Sequence, residues 1–353
     1  MVLQRILITG GAGFIGSNLA CHLQGAFPSA QIVCMDNLYR RGSELNVVRL
    51  QDRGIQCHRG DIRFVDQFPT GEFDLLIECS AEPSVLAGQD GSPDYLFQTN
   101  LVGAYHCLEM ARKWKSKVLF LSTSRVYPVA RLESHPWQEM ETRFAWADEG
   151  TPGISSRGVT EALDLGGARS LYGYTKLSAE QLIEEYRQSF GLQAVVNRCG
   201  VVAGPWQFGK IDQGVLALWV MAHIFGKPLA YIGYGGTGKQ VRDVLHVQDL
   251  CDLIALQITD FDAWEGWVGN VAGGLDCSVS LQELTQLCEE ATGNSISIRS
   301  SLDQRPFDLR LFIGDCDRLF KRTEWRPSRS LTTLVTDISD WVRCNQAALL
   351  GLS

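Results

Sequence analysis

The stretch Arg5-Ile-Leu-Ile-Thr-Gly10-Gly-Ala-Gly13-Phe-Ile-Gly16 decides the fold. A short apolar run of strand length, stopped by glycine and followed at once by a helical pattern, reads as the opening of a parallel α/β unit. Gly10, Gly13 and Gly16 permit a tight turn that brings backbone N–H groups, those of Phe14 and Ile15 included, and a helix N-terminus against a pyrophosphate. A larger side chain would hold the phosphates away. A glycine turn can also be no more than a turn, so a second signal is needed.

That signal is the next apolar run, Gln31 to Met35, which ends at Asp36. The carboxylate falls about 20 residues after the last glycine, where it can bind both hydroxyls of an adenosine ribose. Asp36 repels a 2′-phosphate and so favours NAD, while Arg40 and Arg41 leave NADP open. Further apolar runs at Gln56 to Arg59, Asp74 to Glu78, Lys117 to Ser122 and Gln193 to Arg198 alternate with helical patterns, clearest at Leu101 to Trp114 and Leu171 to Phe190. The pattern predicts a Rossmann-type, doubly wound parallel sheet, with a smaller mixed α/β C-terminal lobe for substrate. The expected division is residues 1–190 for the dinucleotide and 191–353 for the substrate, with segments crossing back. After Gly200 the chain is punctuated by Gly and Pro until a helix near Leu281 to Thr292.

Bulk composition narrows the partners. The 353 residues carry 32 basic and 40 acidic side chains, a net charge of −8, which offers no basic footprint for nucleic acid. The 11 cysteines form no C-x-x-C pair, so neither a disulfide framework nor a zinc site is expected, and a reducing, cytoplasmic compartment is the simplest reading. The chain enters its first strand almost at once, so no signal peptide and no membrane span are expected.

The chemical signal is Tyr172-Gly-Tyr-Thr-Lys176, a phenol and an ammonium one helical turn apart on one face. The positive charge favours the phenolate, which can take a proton from a sugar hydroxyl as a nicotinamide takes the hydride. The run Val118-Leu-Phe-Leu-Ser122 delivers Thr123 and Ser124 to the carboxyl edge of the sheet, where ligands of such folds bind. Thr123 can there share a hydrogen bond with the reacting oxygen. Between these signals, residues 127–170 are rich in Pro, Gly, Ser and charge, with little periodicity. Loops longer than about 15 residues are usually functional or disordered, and this one reads as an active-site cover.

Together, Gly10, Gly13, Gly16, Asp36, Asp61, Asn100, Thr123, Tyr172 and Lys176 resemble the extended short-chain dehydrogenase/reductase family over nearly the whole chain. The resemblance implies Tyr172 as acid/base, Lys176 on the nicotinamide ribose and Thr123 orienting the substrate oxygen. It also implies cofactor contacts from Asn37, Arg41, Asp61, Ile62, Ser80, Ala81, Asn100 and Cys199, and homodimers formed through the helices beginning near Leu101 and Tyr172. For Asp61 and Asn100 a turn or a helix cap is an equal account.

Dehydratases of that family follow the Thr with an acidic pair, whereas Ser124-Arg125 stand here; decarboxylating members carry Glu at the Arg125 position. Transient oxidation and return of the hydride to the opposite face, an epimerisation, remains. A closer resemblance, to the CDP-paratose/CDP-tyvelose 2-epimerases, is carried by Asp36-Asn-Leu-Tyr-Arg40-Arg-Gly42, Glu141-Thr-Arg-Phe144, Gln207-Phe-Gly-Lys-Ile-Asp-Gln-Gly214 and Gly238-Lys-Gln-Val-Arg-Asp-Val-Leu-His246. It implies a CDP-sugar substrate and tightly held NAD. One departure is Glu78-Cys-Ser-Ala-Glu82, where relatives have His-Leu-Ala-Ala-Gln.

For the substrate, Arg242 matches the position at which relatives grip the diphosphate, and Arg305 is a second candidate clamp; a guanidinium fork suits phosphate oxygens. A structural salt bridge to Asp243 or Asp308 is the bland alternative. Gln207, Lys210 and Gln213 are expected to face nucleotide or sugar, and Glu82, Ser84, Ser124 and Arg125 the sugar hydroxyls. His246, between apolar neighbours, is expected to pack with a satisfied ring and carries no chemistry.

Overall fold

Ile6, Leu7 and Ile8 have no exposed surface on either face, as the central strand of a parallel sheet requires. Each such side chain contributes about 1.5–3 kcal/mol through burial. The computed structural model of the chain describes residues 3–89, 91–148, 150–208 and 214–350. Lys210 and Gln213 lie outside the described residues.

The large sheet takes its strands in chain order from β1 (Arg5–Thr9), β2 (Gln31–Asp36), β3 (Gln56–Arg59), β4 (Leu75–Glu78), β5 (Lys117–Thr123), β6 (Ala194–Cys199) and β7 (Val268–Val271). Their spatial order is β7-β6-β5-β4-β1-β2-β3. The pairings β1–β2, β2–β3, β1–β4 and β4–β5 are parallel. The order reverses between β1 and β4, which makes their carboxyl ends the switch point where ligands of such sheets bind. This is the Rossmann-type architecture expected from the alternation of apolar runs.

Helices α1 (Phe14–Ala26), α2 (Ser43–Gln51), α3 (Gly103–Trp114) and α4 (Leu171–Phe190) belong to the same sheet system. Ala104, Leu108 and Ala111 of α3 and Ala179, Ile183 and Tyr186 of α4 pack with Val118, Phe120, Ala194 and Val196. A π-helical turn, Gln98–Val102, precedes α3, so this helix starts two residues later than its periodicity suggests. Such wide turns concentrate at functional positions.

The chain divides into two compact units, one of Met1–Val126, Leu171–Arg198 and Leu250–Val268, the other of Tyr127–Ser170, Cys199–Asp249 and Gly269–Ser353. The expected cut near residue 190 falls inside the first unit's Leu171–Arg198 segment. Residues 127–170 belong to the second unit and contain a helix, Val129–Ser134, and two small hairpins, Trp137–Glu139 with Phe144–Trp146 and Ile154–Ser155 with Gly158–Val159. Strands of two or three residues are too short to leave a period in sequence.

In the second unit, Val241–His246 pairs with Val201–Ala203, Ser278–Ser280 and Leu311–Phe312. Helices Val215–Phe225, Leu281–Thr292 and Leu331–Cys344 bury Trp219, Leu284, Ile338 and Val342 in one cluster. Ser280 and Glu283 form a reciprocal capping box, and Gly293 ends the helix at φ 73°. No helix among the described residues is long and apolar enough to cross a membrane.

Candidate active site

The glycine turn is fixed by contact between strand ends. Gly10 has φ +64°, and a Cβ there would meet the backbone C and O of Cys79 and the N of Ser80 at 2.8 Å. The loops after β1 and β4 therefore touch at the switch point. A Cβ on Gly16 would lie 2.2 Å from the Gly10 carbonyl oxygen, and one on Gly13 would lie 3.0 Å from it. Gly13 is the N-cap of α1, with no side-chain cap and no acid in the first turn. The N–H groups of Phe14, Ile15 and Gly16 thus lack intrahelical partners and side-chain competitors, the arrangement an anionic pyrophosphate needs.

Asp36 ends β2 beside this turn. Its carboxylate accepts from the Leu38 N–H at 2.8 Å and from the Ala12 N–H at 3.1 Å. Burial pushes its carboxyl above the ordinary range, and the bonds from Leu38, Ala12 and Gly13 pull it back. The carboxylate is so locked to the turn that one placement fixes both, and a ribose beside a pyrophosphate is what this pair fits. Asn37 donates to Asp61 at 2.9 Å. Asp61 also takes a forked pair from Arg63, 2.7 Å at the closest. Burial raises the Asp61 carboxyl, but the bonds from Arg63 and Asn37 outweigh it and leave it below the usual carboxylate range. Arg63, missed in the sequence reading, lies over the Tyr95 ring at 4.8 Å. Ile62 is buried, and a Cβ on Gly103 would lie 2.5 Å from its side chain, so Ile62 sets the spacing between the β3 loop and α3. Arg41 is exposed.

Asn100, in the π-helical turn, accepts from the Glu82 N–H at 2.8 Å and donates to the Glu82 carbonyl at 3.0 Å and the Thr175 hydroxyl at 3.3 Å. It thereby pins the loop of Ser80 and Ala81 to α4. Glu82 accepts from the Ser84 N–H at 3.1 Å, and Ser84 accepts from the Leu86 N–H at 3.2 Å.

Tyr172 and Lys176 stand one turn apart at the start of α4, with Tyr172 half-buried and Lys176 2% exposed. Lys176 donates to Glu78 at 3.3 Å, and its ammonium lies 3.9 Å from the Phe120 ring centroid. One turn further, Glu180 pairs with Arg198 at 2.7 Å and accepts from the Ser122 hydroxyl. Glu78 stood out in sequence only as a departure from relatives, with no partner assigned, and Glu180 not at all. Thr123, at the end of β5, accepts from the Arg125 N–H at 3.2 Å and so turns the chain into the short 3₁₀ segment Ser124–Val126. Cofactor turn, Thr123, Tyr172 and Lys176 all belong to the first unit.

In the second unit, Arg242 pairs with Asp308 at 2.8 Å and donates to its neighbour's carbonyl, that of Val241, at 2.7 Å. Asp243 is fully buried; burial pushes its carboxyl up to about 7, against hydrogen bonds led by the Gly314 N–H at 2.8 Å. Gln207 donates to the Val202 carbonyl at 3.2 Å. Arg305 is half-buried, and Cys199 is buried at the end of β6. His246 accepts from the Gln248 N–H at 2.9 Å and lies 3.3 Å from Asp337, a structural setting.

The profile of the NAD dependent epimerase/dehydratase family matches residues 6–272. A CDP-paratose 2-epimerase of Salmonella typhi is 30% identical over 96% of this chain and 99% of its own. A dTDP-glucose 4,6-dehydratase of Salmonella typhimurium is 27% identical over 97% of this chain and 93% of its own. Among solved structures, Pal from Bacillus thuringiensis superposes with a TM-score of 0.79, at 25% identity, over 97% of this chain and 99% of that one.

Proposed function

This chain belongs to the NAD dependent epimerase/dehydratase family and uses NAD, and on that premise we propose that it epimerises a nucleotide-linked sugar at C2. The single observation that carries the reading is the full-length similarity to a CDP-paratose 2-epimerase, joined to a chain that places Ser124-Arg125 after Thr123. A CDP-sugar is the substrate we favour.

NAD when bound supplies the hydride acceptor and, on return, the donor. The Tyr172 phenolate takes the proton from the sugar hydroxyl as that carbon is oxidised, and gives it back when the keto group is reduced. Lys176 holds positive charge one turn away and favours the phenolate. Thr123 aligns the oxygen that alternates between hydroxyl and ketone. The glycine turn, Asp36 and the Asn100-pinned loop hold the dinucleotide. Arg242 and Arg305, with Gln207, supply the diphosphate and nucleotide contacts. The similarity to a dTDP-glucose 4,6-dehydratase favours a second reading, chemistry at C4.

Purified enzyme incubated with CDP-paratose in deuterated water, without added NAD, is expected to form the C2 epimer with no deuterium on carbon and no accumulating NADH. A C4 epimer or a dehydrated sugar would transfer the assignment to the second reading. Stoichiometric NADH would make the protein a net oxidoreductase, full activity after Tyr172→Phe would remove Tyr172 from the chemistry, and a bound dinucleotide with no turnover by the wild type would make the protein a non-catalytic dinucleotide binder. We further propose a homodimer formed through α3 and α4, on which Tyr105 and Tyr174 are exposed. A monomeric mass in solution would rule it out.

A further inference from the structure

Glu78 closes β4 in register with Thr9 of β1 on one side and Phe120 of β5 on the other. It meets the Lys176 ammonium at 3.3 Å, and both side chains keep only 3% of their surface. Removing a carboxylate and an ammonium from water is unfavourable unless each meets the other, so this contact holds both in place. The catalytic steps above leave Glu78 without a role.

We propose that Glu78 is a positioning residue for the proton relay: it anchors the Lys176 ammonium to the sheet and screens part of its charge from the Tyr172 phenol. This rests on Tyr172 and Lys176 being the relay pair. An unscreened ammonium one helical turn away would stabilise the phenolate strongly and make it a reluctant base. A counter-charge behind the ammonium moderates that pull. The phenol is then poised to take a proton and to return it, as a reaction that runs forwards and backwards over one oxygen requires.

The surroundings single out Glu78. From α3 the Cys107 thiol faces the pair, and burial pushes it well above its ordinary range, so it is neutral. From β1 the facing side chain is the uncharged Thr9. On α4, Glu180 already has Arg198 of β6 as its cation and Ser122 of β5 as a donor. Burial pushes the Glu78 carboxyl up and Lys176 draws it back.

The test follows the phenol directly, with no substrate. NAD-loaded enzyme and its Glu78→Gln and Glu78→Asp variants are titrated by ultraviolet tyrosinate absorbance, each minus the same protein carrying Tyr172→Phe. In Glu78→Gln the midpoint is expected to move toward acid by about one pH unit, the scale of one charge acting through an effective dielectric of about 20. Glu78→Asp keeps the charge but withdraws it by one methylene, so a smaller shift of the same sign is expected. A Glu78→Gln midpoint that stays put, or moves toward alkali, overturns the proposal. If that variant does not fold, Glu78→Asp decides alone: an acid shift supports the screening role and a fixed midpoint refutes it. A wild-type difference curve with no titration step would instead sink the assignment of Tyr172, which separates the two failures.

Discussion

Two ion pairs show how differently the two units treat charge. Glu180 and Arg198 meet at 2.7 Å with 5% and 8% of their side chains exposed, between a helix and a parallel sheet. Arg242 and Asp308 meet at 2.8 Å with 18% and 21% exposed. The distances are the same and the consequences are not. In the first pair each charge depends on its partner, because no water is at hand to replace it. In the second, solvent already shares the load, so each charge depends less on its partner. The first pair is sealed architecture, and the second stands where solvent reaches both charges.

That contrast can be broken by substitution. Glu180→Gln strands a buried guanidinium and is expected to cost about 3–5 kcal/mol of stability, read from urea unfolding. A loss below about 1 kcal/mol would mean the pair is not sealed. Asp243 sharpens the point inside the second unit, since it is fully buried, has no ion pair among the described residues, and burial pushes its carboxyl up to about 7. The folded state there holds its proton more tightly than the unfolded chain, so stability is full below the unfolded value near 4 and declines as pH rises toward 7. Asp243→Asn is expected to flatten that slope and to gain roughly 2 kcal/mol at neutral pH; an unchanged slope would assign it elsewhere. The smallest stability effect belongs to Arg242→Ala, below about 1 kcal/mol in unfolding, while KM rises roughly tenfold. A raised kcat deficit with unchanged KM would remove Arg242 from substrate binding.

The parts of the molecule that local chemistry dictates were legible in sequence. Strand Arg5–Thr9 and helices Leu171–Phe190 and Leu281–Thr292 follow the expected limits. Glycine ends the strand, and the capping box of Ser280 with Glu283 and the left-handed Gly293 mark the last helix. The places of Tyr172 and Lys176 at the start of a helix and of Asp36 at the end of a strand were legible for the same reason, each lying at a fixed offset from a strong local signal. The buried counter-ions were not. Glu78 is 98 residues from Lys176 in the chain, and nothing in the sequence around either predicts their meeting. Arg63 was hidden differently, two residues from Asp61 in a turn where an arginine reads as a solvated surface group. That segments cross between the two units was expected, but not which ones, because segments such as Tyr127–Ser170 carry hairpins too short to show a period.

The contact at Gly10 has a bearing on how such enzymes diverge. The three nearest atoms that a side chain at Gly10 would strike are all main chain, of Cys79 and Ser80. That contact is therefore set by the course of the neighbouring backbone rather than by the side groups it carries. The side chains of Glu78-Cys-Ser-Ala-Glu82 can vary without disturbing it.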